Sequence, residues 1–395
     1  MRTATATAPA SVDRPSWRNY LTRTAVAYLV SRICVIAGAA IVAAQEVAEA
    51  NREHLPRPKT AVGLIAQVLT SWDGQWYYRI IRNGYPSSIP PDVTYEMSEA
   101  RAAFFPMYPA VVRVVDAVLP GGDVFAGILV NFVLGAAALL LVGLLARRLF
   151  DEQVAYRTML LMAFFPGAMV LSFTYSEALL IVLAAGCLLM LLREQWLAAG
   201  VLACLATATR PNGLALVAAC AVAAWMAIRA RRDWASLISV VLAPVGFLAF
   251  QLYLRSRTGE WAWFRVQSEA WDEGTSFGYT AVKNTFEAFL HPLASPTDIV
   301  TAMSVLVMAG LVWVMWKRRL PWPLIAYTAA VLVLMVLPST VTARPRFVYT
   351  AFPAFISLAA WWPDDQEEAW GLTIALGAAG LVTLTGLYGV YGAIP

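Results

Sequence analysis

Charge is scarce in this chain. Of its 395 residues, 14% are Asp, Glu, Lys or Arg and 60% are hydrophobic. That is too little charge to clothe a soluble domain in water. Histidine is almost absent. His54 and His291 are the only two and stand far apart, which argues against a histidine metal cluster and a Ser-His triad. Cys34, Cys187, Cys204 and Cys220 all lie in apolar runs. That speaks against a disulfide framework and a cysteine metal site. The net charge is only +4, and no stretch interleaves aromatic with basic residues, so no nucleic-acid partner is expected. No repeat of fixed period is visible.

What is there is apolar length. Runs at 25–44, 123–146, 159–175, 178–192, 196–209, 214–228, 237–254, 299–316, 323–337, 347–362 and 372–391 predict about eleven transmembrane helices. The fold class is an all-α polytopic integral membrane protein in a lipid bilayer. Arg147-Arg148, Arg193, Arg229 with Arg231 and Arg232, and Lys317-Arg318-Arg319 fall on one side when the spans alternate. The positive-inside rule makes that side cytoplasmic, with the N-terminus in and the C-terminus out. Residues 1–22 read as a disordered cytoplasmic tail, and 23–395 as a single transmembrane domain. Two long loops, 45–122 and 255–297, lie outside. Arg32 falls within the first span and is expected to snorkel to the cytoplasmic surface.

The stretch 71–86, SWDGQWYYRIIRNGYP, organises the first outer loop. Ser71 reads as an N-cap, Asp73 suits the positive end of the helix dipole, and Gly84 and Pro86 end the helix. Trp72, Trp76, Tyr77, Ile80 and Ile81 recur at helical spacing and share a face with Asp73. The helix is expected to lie on the membrane surface. Asp73 is then either a dipole partner only or a carboxylate turned toward the bilayer.

Further carboxylates and arginines gather on the same side. Glu96 and Glu99 share the first outer loop, and Glu177 follows Ser176 at a membrane boundary. A loop carboxylate beside a membrane slot can act as general base. Otherwise Glu177 is a first-turn residue capped by Ser176, and Glu99 a solvated charge. Arg210, Arg344 and Arg346 stand at outer ends of spans, where the positive-inside rule disfavours them. Guanidinium forks suit phosphate oxygens, or lipid headgroups. A base, an arginine clamp, an aromatic loop and membrane spans are what a lipid-phosphate-sugar transferase needs. One base deprotonates the acceptor hydroxyl, and the leaving phosphate needs charge stabilisation. No cofactor or metal is required, although a divalent cation is compatible.

The motifs resemble, in order, those of the PIG-V type mannosyltransferases of the GT-C glycosyltransferase superfamily. They are Trp72-Asp73, Trp76-Tyr77, Ile80, Gly84-Tyr85, Tyr95-Glu96, AFFPMYP at 103–109, Tyr175-Ser176-Glu177, TRPNG at 209–213, Arg344-Pro345-Arg346-Phe347 and Pro353. The resemblance implies a GT-C-like architecture. It further implies inverting transfer of mannose from a polyprenyl-phosphate mannose on the extracytoplasmic face of the cell membrane. Asp73 is the implied catalytic carboxylate, with Glu96 in reserve. Arg344, Arg346 and Arg210 would hold the donor phosphate. Trp72, Trp76, Tyr77, Tyr108, Glu177 and Asn212 would contact substrate. Trp76 stands where eukaryotic members tend to carry His, which points to an acceptor other than a GPI-like glycolipid: another glycolipid, a lipoglycan or a cell-wall glycan. The competing classes are a transporter or flippase of lipid-linked sugars and a non-catalytic membrane scaffold. A transporter calls for paired repeats around broken helices. Helix breaks are expected near Pro166 and Pro211, without repeat symmetry.

Overall fold

The computed structural model describes residues 16–53, 60–340 and 343–395. Its described residues are almost wholly helical, and their only strand-like pairing is an isolated bridge between Thr275 and Pro338. Of the expected tail, residues 1–15 lie outside the described residues. The first helix runs over Trp17–Arg52, so the tail does not extend to residue 22 as expected. Ser16 accepts a hydrogen bond from the Asn19 amide and starts the helix early. Its 36 residues span about 54 Å, well beyond a hydrocarbon layer of about 30 Å. Its far end therefore continues as helix into the expected loop at 45–122.

Among the described residues six helices are long and apolar enough to cross a membrane: Trp17–Arg52, Gly122–Leu149, Pro211–Arg231, Trp234–Thr258, Pro296–Lys317 and Glu367–Gly389. The chain is a multi-pass membrane protein. Glu177–Leu191, Trp196–Thr207 and Trp322–Val336 are apolar but shorter. The remaining two expected spans are broken helices. Glu152–Phe164 gives way to a 3-10 turn over Pro166–Leu171, and Pro345–Thr350 to Pro353–Trp361. A proline cannot continue the preceding helix because it lacks the amide proton and its ring clashes with the earlier carbonyl. The two breaks meet: a Cβ on Gly167 would run into the Pro345 carbonyl. Only glycine allows that approach.

A helix break inside a membrane leaves carbonyls without donors, and lipid supplies none. Arg32 answers this need and does not snorkel as expected. It is 4% exposed. Its guanidinium donates to the Ala168 carbonyl at 2.8 Å, to Ser172 Oγ at 2.9 Å and to the Ala163 carbonyl at 3.3 Å. Tyr28 packs its ring 5.2 Å from the same guanidinium.

At the end of the bundle that carries the long loops, 71–86 does form a helix, Asp73–Asn83. Its cap differs from expectation. Ser71 Oγ donates to the Val68 carbonyl at 2.8 Å, closing the preceding Ala61–Leu69 helix. Trp72 takes the N-cap position with φ 56°. Nor does the helix lie against lipid. Trp76, Tyr77, Tyr78, Ile80 and Ile81 are buried within the protein. They pack on Met107–Val118 and on the 3-10 helix Ser98–Ala103. The second loop docks on the first. Arg257 donates to the Tyr85 carbonyl at 3.1 Å, and Arg265 to the Pro91 carbonyl at 2.9 Å.

Candidate active site

Four charged side chains meet at the loop end. Asp73 enters from the first turn of its helix. Glu177 opens the Glu177–Leu191 helix, Arg210 precedes the 3-10 helix Pro211–Leu214, and Arg346 sits in Pro345–Thr350. Arg346 Nη1 lies 2.6 Å from Asp73 Oδ2 and 3.6 Å from Glu177 Oε1. Arg210 Nη1 lies 2.8 Å from Glu177 Oε1 and 3.5 Å from Asp73 Oδ2. The square is formally neutral. Glu177 is fully buried, while the Asp73 side chain keeps 16% of its exposure. Asp73 is thus the carboxylate a substrate can reach.

Local geometry sets this square. A Cβ at Gly74 would strike Thr174 Oγ1, so glycine lets the Asp73 helix start hard against the turn that leads to Glu177. Asn131, fully buried in Gly122–Leu149, donates its amide to the Phe173 and Tyr175 carbonyls and fixes that turn. Ser176 does not cap its helix with its hydroxyl. Its Oγ accepts from Tyr77 Oη–H at 2.7 Å and from Arg210 Nη1 at 3.3 Å. Burial pushes the Tyr77 phenol up, so it stays a donor. Burial lowers Arg210, but Glu177, Tyr77 and Asp73 together outweigh it and raise it.

Three members of the square, Asp73, Arg210 and Arg346, line a cavity of about 610 Å³, with Glu177 buried behind them. Asp73, Tyr77, Arg210, Asn212 and Arg346 line it. Phe104, Trp263, Trp271, Gln267 and Ser268 line it as well. The sequence gives no special weight to Ser176 or to the last four. Only the clustering of Trp261, Trp263 and Trp271 in one loop signals them.

Other expected site residues lie elsewhere. Glu96 is exposed and does not line the cavity; its neighbour Tyr95 turns inward onto Trp76 at 5.4 Å. Arg344 is 1% exposed and belongs neither to the square nor to the cavity lining. It donates to Thr301 Oγ1 and to the Ala343 carbonyl, and burial lowers it to about 10. Trp72 faces the last helix, with its Nε1 on the Tyr388 carbonyl at 2.9 Å and its ring 5.0 Å from Tyr391. Trp76 is packed behind the cavity wall between Tyr95, Phe104 and Trp271, with Arg79 over its face. Tyr108 is fully buried behind Tyr77, ring centroids 4.9 Å apart.

The class this defines is a multi-pass helical membrane protein with a GT-C-like fold and a charged cavity at its loop end. Among solved structures the chain is similar to apo ArnT from Cupriavidus metallidurans, with 16% identity and a TM-score of 0.52 over 80% of this chain. It spans 58% of that chain's length. ArnT bound to undecaprenyl phosphate matches at 16% identity and a TM-score of 0.49, covering 81% of this chain and 64% of that one. The oligosaccharyltransferase AglB from Archaeoglobus fulgidus, with an inhibitory peptide and a dolichol-phosphate, matches at 14% identity and 0.45, covering 96% and 57%.

Residues 102–254 match the model of the dolichyl-phosphate-mannose-protein mannosyltransferase family. Among curated proteins no match was found.

Proposed function

We propose that the protein is an inverting glycosyltransferase. It moves mannose from a polyprenyl-phosphate mannose to a hydroxyl of a glycolipid or glycan acceptor on the extracytoplasmic face. The observation that carries this reading is the square of Asp73, Glu177, Arg210 and Arg346, of which all but the buried Glu177 line the cavity. Two guanidiniums beside one reachable carboxylate offer a phosphate site and a proton acceptor within one side chain's length. The ArnT-like fold, the family model over 102–254 and the order of the sequence motifs support the donor class.

In the reaction, Arg346 and Arg210 turn from the carboxylates to the donor phosphate. The acceptor oxygen bonds to the sugar C1 as the bond from C1 to the phosphate oxygen breaks. Asp73 takes the hydroxyl proton, and the polyprenyl phosphate leaves with its charge held by the arginines. No cofactor enters this sequence. Arg344 supports the turn that presents Arg346.

The test uses purified protein in liposomes with radiolabelled polyprenyl-phosphate mannose. Label transferred to an added glycolipid fraction, and lost in Asp73→Asn, is the expected result. Label moved across the bilayer unchanged would identify a transporter and overturn the proposal.

A further inference from the structure

The cavity has two chemically different ends. One end holds the charged square. The other is an aromatic wall built mainly by the second long loop, with one carboxylate, Glu273, among its lining residues. Trp271 sits in it edge-on to Phe104, with centroids 5.7 Å apart. Trp263 is fixed in place by its indole N–H on the Ala103 carbonyl at 3.1 Å. Trp271, Asn212 and Gln267 line the cavity, and among the described residues no hydrogen bond engages the Trp271 indole N–H or the two side-chain amides. The nearby Glu273 is not one of these open groups. Its carboxylate accepts from the Ser339 and Thr340 amides at 2.8 and 3.0 Å and straps the wall to the turn that leads to Arg346.

Aromatic faces beside open, neutral hydrogen-bonding groups suit a pyranose. Its C–H face rests on the negative face of a ring, and its hydroxyls bond to amides and an indole N–H. The one charge on this wall, Glu273, is negative and is engaged by the Ser339 and Thr340 amides, so a phosphate finds no positive partner there. The volume falls within the range of pockets that enclose small ligands, so the wall and the square can be filled together.

We infer that this wall is the acceptor subsite and that it takes a sugar ring, with Trp271 as platform and Gln267 and Asn212 as hydroxyl readers. This rests on the transferase reading, which places the donor phosphate at the other end.

The experiment measures two binding events separately on purified full-length protein. The probes are polyprenyl phosphate without sugar and a panel of octyl glycosides (α-mannoside, β-glucoside, β-galactoside). At least one glycoside should bind the wild type. Trp271→Ala should weaken it about tenfold or more, and Trp271→Phe less. Gln267→Ala should weaken it about three- to tenfold, as for loss of one hydrogen bond of about 1 kcal/mol. Polyprenyl phosphate affinity should stay unchanged in all three. Because Trp271 packs on three other rings, Trp271→Ala can unfold the loop; Gln267→Ala and Trp271→Phe then decide the matter. If no glycoside binds while Arg346→Ala still abolishes polyprenyl phosphate binding, the inference falls and the transferase reading stands. If glycoside binding depends on Trp271 but polyprenyl phosphate does not bind, the transferase reading falls and a sugar site remains. Weaker polyprenyl phosphate binding in Gln267→Ala with glycoside binding intact would assign the wall to the donor and overturn the inference.

Discussion

Replacing Asp73 by Asn keeps the shape of the side chain and removes both its charge and its ability to take a proton. The two losses act in opposite directions on two measurable quantities. Asp73 Oδ2 is 2.6 Å from Arg346 Nη1. A unit charge pair about 4 Å apart is worth about 4 kcal/mol at an effective dielectric constant near 20. Asp73 keeps 16% of its exposure, so solvent screens part of that attraction. Taking roughly 1–2 kcal/mol as the share that competes with the phosphate gives about 5- to 30-fold tighter binding of polyprenyl phosphate to Asp73→Asn. The catalytic step should lose about 10²–10⁴-fold, the usual contribution of a placed base. Isothermal titration with polyprenyl phosphate reads the first quantity, and single-turnover transfer of labelled mannose reads the second. Weaker lipid-phosphate binding with turnover intact would refute the reasoning. It would mean that Asp73 orients Arg346 for the ligand and takes no proton.

Arg346→Lys keeps the charge but loses the planar fork, so donor KM should rise about tenfold or more while the purified protein elutes as a folded species. Glu177→Gln leaves Arg210 without its fully buried partner. Stability should fall by about 3–5 kcal/mol in a thermal melt, and the double variant with Arg210→Gln should recover part of the loss. Arg32→Met strips donors from two broken-helix carbonyls and Ser172, at about 1–3 kcal/mol per orphaned group. A melt that does not shift would show that the breaks are held by something else. A Cys placed at the exposed Ser87 should label from outside intact cells; labelling only after lysis would invert the topology.

The sequence reveals the spans because lipid imposes a crude and repeated rule. A run of apolar residues between arginines has few other uses, and the expected spans fall on helices, although those at 159–175 and 347–362 are broken. What it hides depends on distant partners. Nothing near Arg32 announces carbonyls more than 130 positions away, so a surface fate was the local expectation. The periodicity of 71–86 gives a correct face but does not say whether lipid or protein covers it. Protein does, and Trp76 therefore becomes a packing residue and not a ligand contact. Asp73 and Glu96 look alike as loop carboxylates; only the packing of Gly74 on Thr174 separates the buried one from the solvated one. The arginines were expected apart from the base. The geometry joins Arg346 and Arg210 to Asp73 directly, and leaves Arg344 behind the wall.

Trp72 and its partner on the last helix also set a schedule for biosynthesis. The Tyr388 carbonyl that accepts from Trp72 is 316 residues further along the chain, and Arg346 is 273 residues beyond Asp73. At roughly 5–20 residues per second, the ribosome delivers Tyr388 about 16–60 s after Trp72. For that interval Trp72, at φ 56°, stands without the carbonyl that holds its indole, while Arg210 and then Arg346 reach Asp73 sooner. The loop helix is made early, and its Trp72 meets the Tyr388 carbonyl only once the last helix is made.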